Sequence, residues 1–107
     1  MENQFSIQGK KIIITGASQG FGFELAKYFS NNGADILITA RNEEALTRAY
    51  DEINKISKGK VFFKVCDISR KIQNEETFKF AIKVFNRIDV LVANAGIYGP
   101  KGEIEKI

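Results

Sequence analysis

Four short apolar runs recur along the chain, at residues 11–15, 35–39, 61–65 and 88–93. They start roughly 25 residues apart, about the length of a strand plus the helix that returns to the next strand. Ile12, Ile13 and Ile14 are contiguous rather than alternating with polar residues. A strand buried on both faces reads this way, and such strands lie inside parallel sheets covered by helices.

The stretches between the runs carry a helical period. Phe21, Leu25 and Phe29 recur every fourth residue, with Gly22 and Ala26 beside them, and predict the apolar stripe of a first helix. Asn42 is placed to cap a second helix. Glu43 and Glu44 sit in its first turn, where carboxylates suit the helix dipole. Ala45, Leu46, Ala49, Ile53 and Ile56 predict its buried stripe, and Gly59 its stop. Ser69 is the expected cap of a third helix, whose apolar face reads as Phe78, Ala81, Ile82 and Phe85. The order is β-α-β-α-β-α-β. Right-handed crossovers then give a parallel α/β sheet with helices on both faces. No linker, low-complexity tract or second domain is visible.

Composition narrows the chemistry. At 107 residues with 44% hydrophobic content, the chain has the size of one domain or less and enough apolar material for a core. Sixteen Lys and Arg face thirteen Asp and Glu, a scattered excess of +3. That distribution is neither a nucleic-acid arm nor a polybasic membrane segment, so neither partner is expected. No apolar run approaches the roughly 18 residues of a membrane span. The opening Met1 to Ser6 lacks a basic region leading into an apolar one, so no secretory signal is expected. Cys66 is the one cysteine, which excludes an internal disulfide and a cysteine-built zinc site. It reads as a small buried hydrophobe in a reducing, cytoplasmic setting. There is no histidine, so a histidine base, a Ser-His-Asp triad and an imidazole metal ligand are excluded within these residues. No metal site is expected.

The strongest motif is Thr15-Gly16-Ala17-Ser18-Gln19-Gly20-Phe21-Gly22, between the first strand and the first helix. A dinucleotide-binding loop belongs at that junction. Gly16 allows a tight turn out of the strand. Gly20 removes a Cβ where a pyrophosphate approaches the backbone, and Gly22 allows close packing of the helix. The helix start supplies N–H groups and a partial positive charge for phosphates. Phe23-Glu24 follows the last glycine, where a Walker A loop needs Lys followed by Ser or Thr.

The spacing Thr-Gly-x-x-x-Gly-x-Gly resembles the short-chain dehydrogenase/reductase family. Three further sites match in the family's order: Arg41 after the second run, Cys66-Asp67-Ile68 after the third, and Asn94-Ala95-Gly96 after the fourth. The resemblance runs from about Gln8 to the C-terminus. It implies a Rossmann-type parallel sheet, incomplete, with four strands in the order 3-2-1-4. It also implies that Gly16, Ser18, Gln19, Gly20, Phe21 and Gly22 hold the pyrophosphate and adenosine ribose. Asp67 would accept from the adenine amino group, and the backbone of Ile68 would line the adenine pocket. Asn94, Ala95 and Gly96 would run beside the nicotinamide ribose, Asn94 also tying the fourth strand to its neighbours. Two residues depart from the family's pattern. Phe21 stands where Ile or Leu is commoner, and Ala93 replaces the first Asn of Asn-Asn-Ala-Gly.

Cofactor choice is read at Arg41. An NAD site of this kind places Asp or Glu at the end of the second strand, to hold the ribose hydroxyls. Thr39-Ala40-Arg41 holds no acid, and Asp35 lies at the strand's other end. The planar guanidinium suits a 2′-phosphate, so NADP is expected over NAD. The same absence of an acid argues against a methyltransferase half.

The family's proton transfer uses a Ser and a Tyr-x-x-x-Lys pair. The residues four places after Tyr28, Tyr50 and Tyr98 are Asn32, Asn54 and Gly102, so the pair is absent from this sequence and no catalytic residue is assigned. Residues 1–107 therefore read as a single truncated NAD(P)-binding domain. On this reading it is the cofactor half of a reductase that moves hydride between NADP(H) and a carbonyl or alcohol. The small-molecule substrate would be engaged only in an intact protein. The alternative is a non-catalytic nucleotide-binding module, alone or with a partner chain. Val90-Leu91-Val92 would form an uncovered sheet edge, through which self-association is expected.

Overall fold

Strand and helix alternate through residues 6–94, the part of the chain that the computed structural model describes. The elements are β1 (Lys11–Ile14), α1 (Gly20–Asn31), β2 (Asp35–Ala40), α2 (Glu43–Ile56), β3 (Val61–Val65), α3 (Lys71–Phe85) and β4 (Val90–Val92). The strands are parallel and stand in the order β3-β2-β1-β4, as the family resemblance implied. Ile12, Ile13 and Ile14 pair with Ile36, Leu37 and Ile38 on one side and with Val90, Leu91 and Val92 on the other.

The isoleucine run is buried on both faces because two cores claim it. Ile12, Ile14, Ile36 and Ile38 pack with Ala26 of α1 and with Leu46, Ala49 and Ile53 of α2. Ile13 and Leu37 turn the other way, onto Ala81 and Phe85 of α3. Each fully buried aliphatic side chain contributes about 1.5–3 kcal/mol. The central strands therefore anchor both layers.

The buried helix faces are narrower than the apolar stripes of the sequence. In α1 the residues against the sheet are Gly22, Ala26 and Ser30, whereas Phe21 is 67% exposed. In α3 they are Thr77, Ala81 and Phe85, and Phe78 and Ile82 stand out at 44% and 48% exposure. A helix pressed against a sheet needs small residues along its line of closest contact. Bulkier ones such as Phe23, Phe29, Phe80 and Val84 flank that line, half buried. In α2 the expected stripe holds at Leu46, Ala49 and Ile53, while Ile56 is exposed.

Two of the three expected helix boundaries have other causes. Asn42 does cap α2: its Oδ1 accepts from the Ala45 N–H at 2.8 Å. Ser69 does not cap α3. Its hydroxyl donates to Asp67 Oδ1 at 2.7 Å, and Arg70 takes the cap position without a side-chain bond. Nor does Gly59 stop α2, which ends at Ile56 with Ser57 as its C-cap. Gly59 is needed by its neighbour instead, since a Cβ there would stand 2.7 Å from the carbonyl carbon of Ala34.

Polar bonds fix the N-terminal edge of the sheet. Asp35 pairs with the Lys11 ammonium, and its Oδ1 accepts from the Lys60 N–H at 2.8 Å. Asp89 Oδ2 accepts from the Lys11 N–H at 2.7 Å, and Arg87 Nε lies 3.1 Å from the same carboxylate. One aspartate thus joins β2 to β1 and β3, and the other joins the start of β4 to β1. Partial burial pushes the Asp35 carboxyl up, but Lys11 and Lys60 outweigh it and hold it below the usual range. The Lys11 N–H, helped by Arg87, does the same for Asp89.

Both carboxyls are depressed in the fold, so their contribution is complete above the unfolded carboxylate range. It is lost as pH falls through their folded values, below about 4. Unfolding midpoints measured from pH 7 to pH 2 should stay flat and then drop below about pH 4, and Asp35→Asn should shrink that drop. A second expectation concerns Gly59. Gly59→Ala should destabilise by about 1–3 kcal/mol through overlap with Ala34. Gly9→Ala, at φ +79 with open space around it, should cost only about 1–2 kcal/mol of backbone strain. Urea midpoints of the two variants compare them directly.

Candidate functional site

In a parallel sheet every strand ends on the same side, and a ligand crevice opens where the strand order reverses. Here that edge gathers Thr15 after β1, Arg41 after β2, Cys66-Asp67-Ile68 after β3 and Asn94 after β4. The reversal lies between β1 and β4, beside the glycine loop.

The loop is held by backbone bonds from both sides. The Thr15 N–H donates to Val92 O and the Ala17 N–H donates to Thr39 O, each at 3.0 Å. Gly16 and Gly20 adopt φ of +63 and +66, where a side chain is strained. A Cβ on Gly20 would meet nothing within 4 Å, so that stretch of backbone faces open space. A Cβ on Gly22 would lie 2.6 Å from Gly16 O and 2.5 Å from Asn94 Nδ2. The first turn of α1 is therefore packed directly on the loop and on the end of β4.

The start of α1 is bare. Gln19 is the N-cap, extended, with no side-chain bond to the first turn, and that turn holds no acid. Its leading N–H groups and the positive end of the helix dipole are left for an anion. Ser18 is half buried, and Gln19 and Phe21 are exposed on the loop's outer side. Phe21 takes no part in the buried face of α1, so the departure there leaves the helix packing to Gly22 and Ala26.

Asn94 ties the end of β4 to the end of β1. Its N–H donates to Thr15 Oγ1 at 2.9 Å, and its Nδ2 donates to Gly16 O at 3.3 Å. Ala95 and Gly96, expected beside it, lie outside the described residues.

Arg41 is exposed immediately after β2. Among the described residues its guanidinium forms no ion pair. Asp67 Oδ1 accepts from both the N–H and the hydroxyl of Ser69, at 3.0 and 2.7 Å. Those bonds, with the charges of Arg41 and Arg70 behind them, hold the carboxyl below its usual range. It is ionised at neutral pH.

The sequence reading passed over Gln73, Asn74, Thr39 and Thr77. Gln73 and Asn74 reach back from the start of α3 to the Asp67–Ile68 turn. An amide pair just inside a helix that follows a strand and a tight turn was the only available signal. Thr39 and Thr77 are buried, and their hydroxyls have no partner among the described residues. Both line a cavity of about 240 Å³ between the sheet and α3, beside Cys66 and Asn74. Cys66 is buried, as expected, with its thiol directed at Asn74 Oδ1 at 3.6 Å. No helix among the described residues is long and apolar enough to cross a membrane.

Comparison with known proteins agrees with this geometry. The 7alpha-hydroxysteroid dehydrogenase of Escherichia coli strain K12 is 38% identical over 95 residues, which cover 89% of this chain and 37% of that enzyme. The crystal structure of hydroxysteroid dehydrogenase from Escherichia coli superposes with a TM-score of 0.81 at 38% identity, over 89% of this chain and 40% of that one. A short chain dehydrogenase/reductase from Burkholderia phymatum, solved in complex with NAD, gives a TM-score of 0.77 at 27% identity. That match covers 82% of this chain and 31% of the other. The chain spans about 37% of the length of the curated relatives it matches. Residues 10–107 match the short chain dehydrogenase family, and the chain belongs to it.

Proposed function

We propose that this chain is the dinucleotide-binding half of a short-chain oxidoreductase, which moves hydride between NADP(H) and a carbonyl or alcohol. The observation that carries the reading is the bare start of α1 behind Gly16 and Gly20, with open space over Gly20 and no acid to compete with a phosphate. Gly16 to Gly22 would hold the pyrophosphate and the adenosine ribose, with Ser18 and Gln19 on the adenosine side. Asn94, continued by Ala95 and Gly96, would line the nicotinamide ribose. Asp67 would accept from the adenine amino group, with Ile68 against the ring. When bound, the dinucleotide supplies or accepts the hydride. The residues here bind it, orient it and keep the loop in register. The sequence holds no Tyr-x-x-x-Lys, so proton transfer falls to residues outside it, and residues 1–107 alone give no turnover. The lone buried thiol of Cys66 fits a reducing, cytoplasmic setting.

NADP is favoured over NAD because of how β2 ends. Its one acid, Asp35, is at the far end and engaged with Lys11. Arg41 follows β2, exposed and without an ion pair among the described residues, and would read a 2′-phosphate. The Burkholderia phymatum relative was solved in complex with NAD.

A hydrogen bond to a charged group is worth about 1.5–3 kcal/mol, and solvent exposure takes the lower end, so NADP should bind about tenfold tighter than NAD. Titration with each cofactor checks this, and Arg41→Ala should remove the difference while sparing NAD binding. An unchanged NADP-to-NAD ratio in that variant would show that Arg41 does not read the phosphate. Gly22→Ala should behave differently. By forcing α1 off Gly16 and Asn94, it should weaken both cofactors alike, by about fivefold or more.

A further inference from the structure

The turn after β3 has an unusual hydrogen-bond inventory. The Asp67 N–H donates to Gln73 Oε1 at 2.8 Å. The Asp67 carbonyl accepts from the Arg70 N–H at 2.9 Å. The Ile68 carbonyl accepts from Asn74 Nδ2 at 2.8 Å. Asp67 Oδ1 is occupied by Ser69. Every backbone polar group of Asp67 and Ile68 is thus engaged except the Ile68 N–H, which has no partner among the described residues. Asp67 Oδ2 is likewise unbonded there. The turn offers one acceptor and one donor on adjacent residues, with the rest of its polar groups engaged.

Two adjacent side chains of α3 do much of the holding. A Gln three residues past a helix cap ordinarily folds back onto the cap residue's own N–H. Here the Arg70 N–H is already bound to Asp67 O, and Gln73 reaches further, to the Asp67 N–H. Asn74 spans the turn in the other direction, from the Cys66 thiol to the Ile68 carbonyl. Both amide orientations are settled by their partners, since an N–H needs an acceptor and a carbonyl needs a donor.

We infer that Gln73 and Asn74 are positioning residues that fix the Asp67 carboxylate and the Ile68 N–H as a rigid acceptor–donor pair, and so set selectivity for adenine over hypoxanthine. This rests on the reading that the dinucleotide's base lies at Asp67. Adenine presents an amino donor beside a ring-nitrogen acceptor, which matches the pair. Hypoxanthine presents a carbonyl beside an N–H, which sets oxygen against carboxylate and N–H against N–H. Two reversed bonds are discriminated only if the pair cannot turn aside, and the two amides supply that restraint.

The test compares NADP with its hypoxanthine counterpart, titrated into the full chain. The original sequence should prefer the adenine form by about tenfold or more. Gln73→Leu removes the acceptor for the Asp67 N–H and should cut that ratio to within about threefold, as should Asn74→Ala. Gln73→Glu keeps an oxygen at the same place and should keep the ratio. Equal weakening of both forms by Leu and Ala would reduce the pair to a structural role and overturn the inference, as would an unchanged ratio. A chain that binds but prefers neither base, or binds neither form, overturns the placement of adenine at Asp67 itself. Should Asn74→Ala fail to fold by circular dichroism, the Gln73→Leu and Gln73→Glu comparison decides.

Discussion

Register is the constraint on which the C-terminal edge depends. In a sheet with one wet face, a slip of one residue is forbidden because it turns the apolar set outward. β1 has no such protection: Ile12, Ile13 and Ile14 are buried whichever way they point. The polar bonds at the two ends of the strand supply it instead. At the start, Asp35 and Asp89 clasp Lys11 from the neighbouring strands. At the finish, Thr15 bonds to Val92 and accepts from Asn94. A slipped β1 would still turn isoleucines to both faces but would lose these bonds. Because the glycine loop begins at Thr15, its placement against β4 and α1 depends on polar bonds at both ends of the strand.

Much of this fold was legible in the sequence, because parallel βα units leave a strong periodic mark. The strand positions, the cap at Asn42 and the inward isoleucines all follow from local patterns. The helix faces followed less well, for a physical reason. Hydrophobicity favours the largest residues, whereas close approach to a sheet favours the smallest, so Phe21, Phe78 and Ile82 were expected inside and stand outside. Gly59 shows a second kind of blindness. A glycine near a helix end suggests a stop, and nothing local reveals that the carbonyl of Ala34, just before β2, occupies the space its side chain would need.

The site divides along the same line. Gly16, Gly20 and Gly22 could be read from spacing, since each answers a separate geometric demand of one loop. Asn94 could be read only by resemblance. Its two bonds run to Thr15 and Gly16, more than seventy residues away, and no local pattern encodes them. Gln73 and Asn74 could not be singled out, because polar residues in a helix's first turns are common and usually face water. What distinguishes them is the turn they reach back to, which exists only once β3 and α3 are in place.

The strand order also bears on how the chain finds its structure. Lys11 meets Asp35 across 24 residues of sequence but meets Asp89 across 78. Closing the longer loop costs about 1 kcal/mol more in chain entropy, and it must happen before any contact of β4 can form. β1, β2 and β3, with α1 and α2, share one core that needs nothing beyond residue 65 apart from Val92 at its margin. The other core assembles only when α3 crosses back over the sheet. β4, the latest of these four strands in the sequence, must therefore dock beside the first, and the glycine loop, formed early in the sequence, reaches its working shape only when that late arrival brings Asn94 against it.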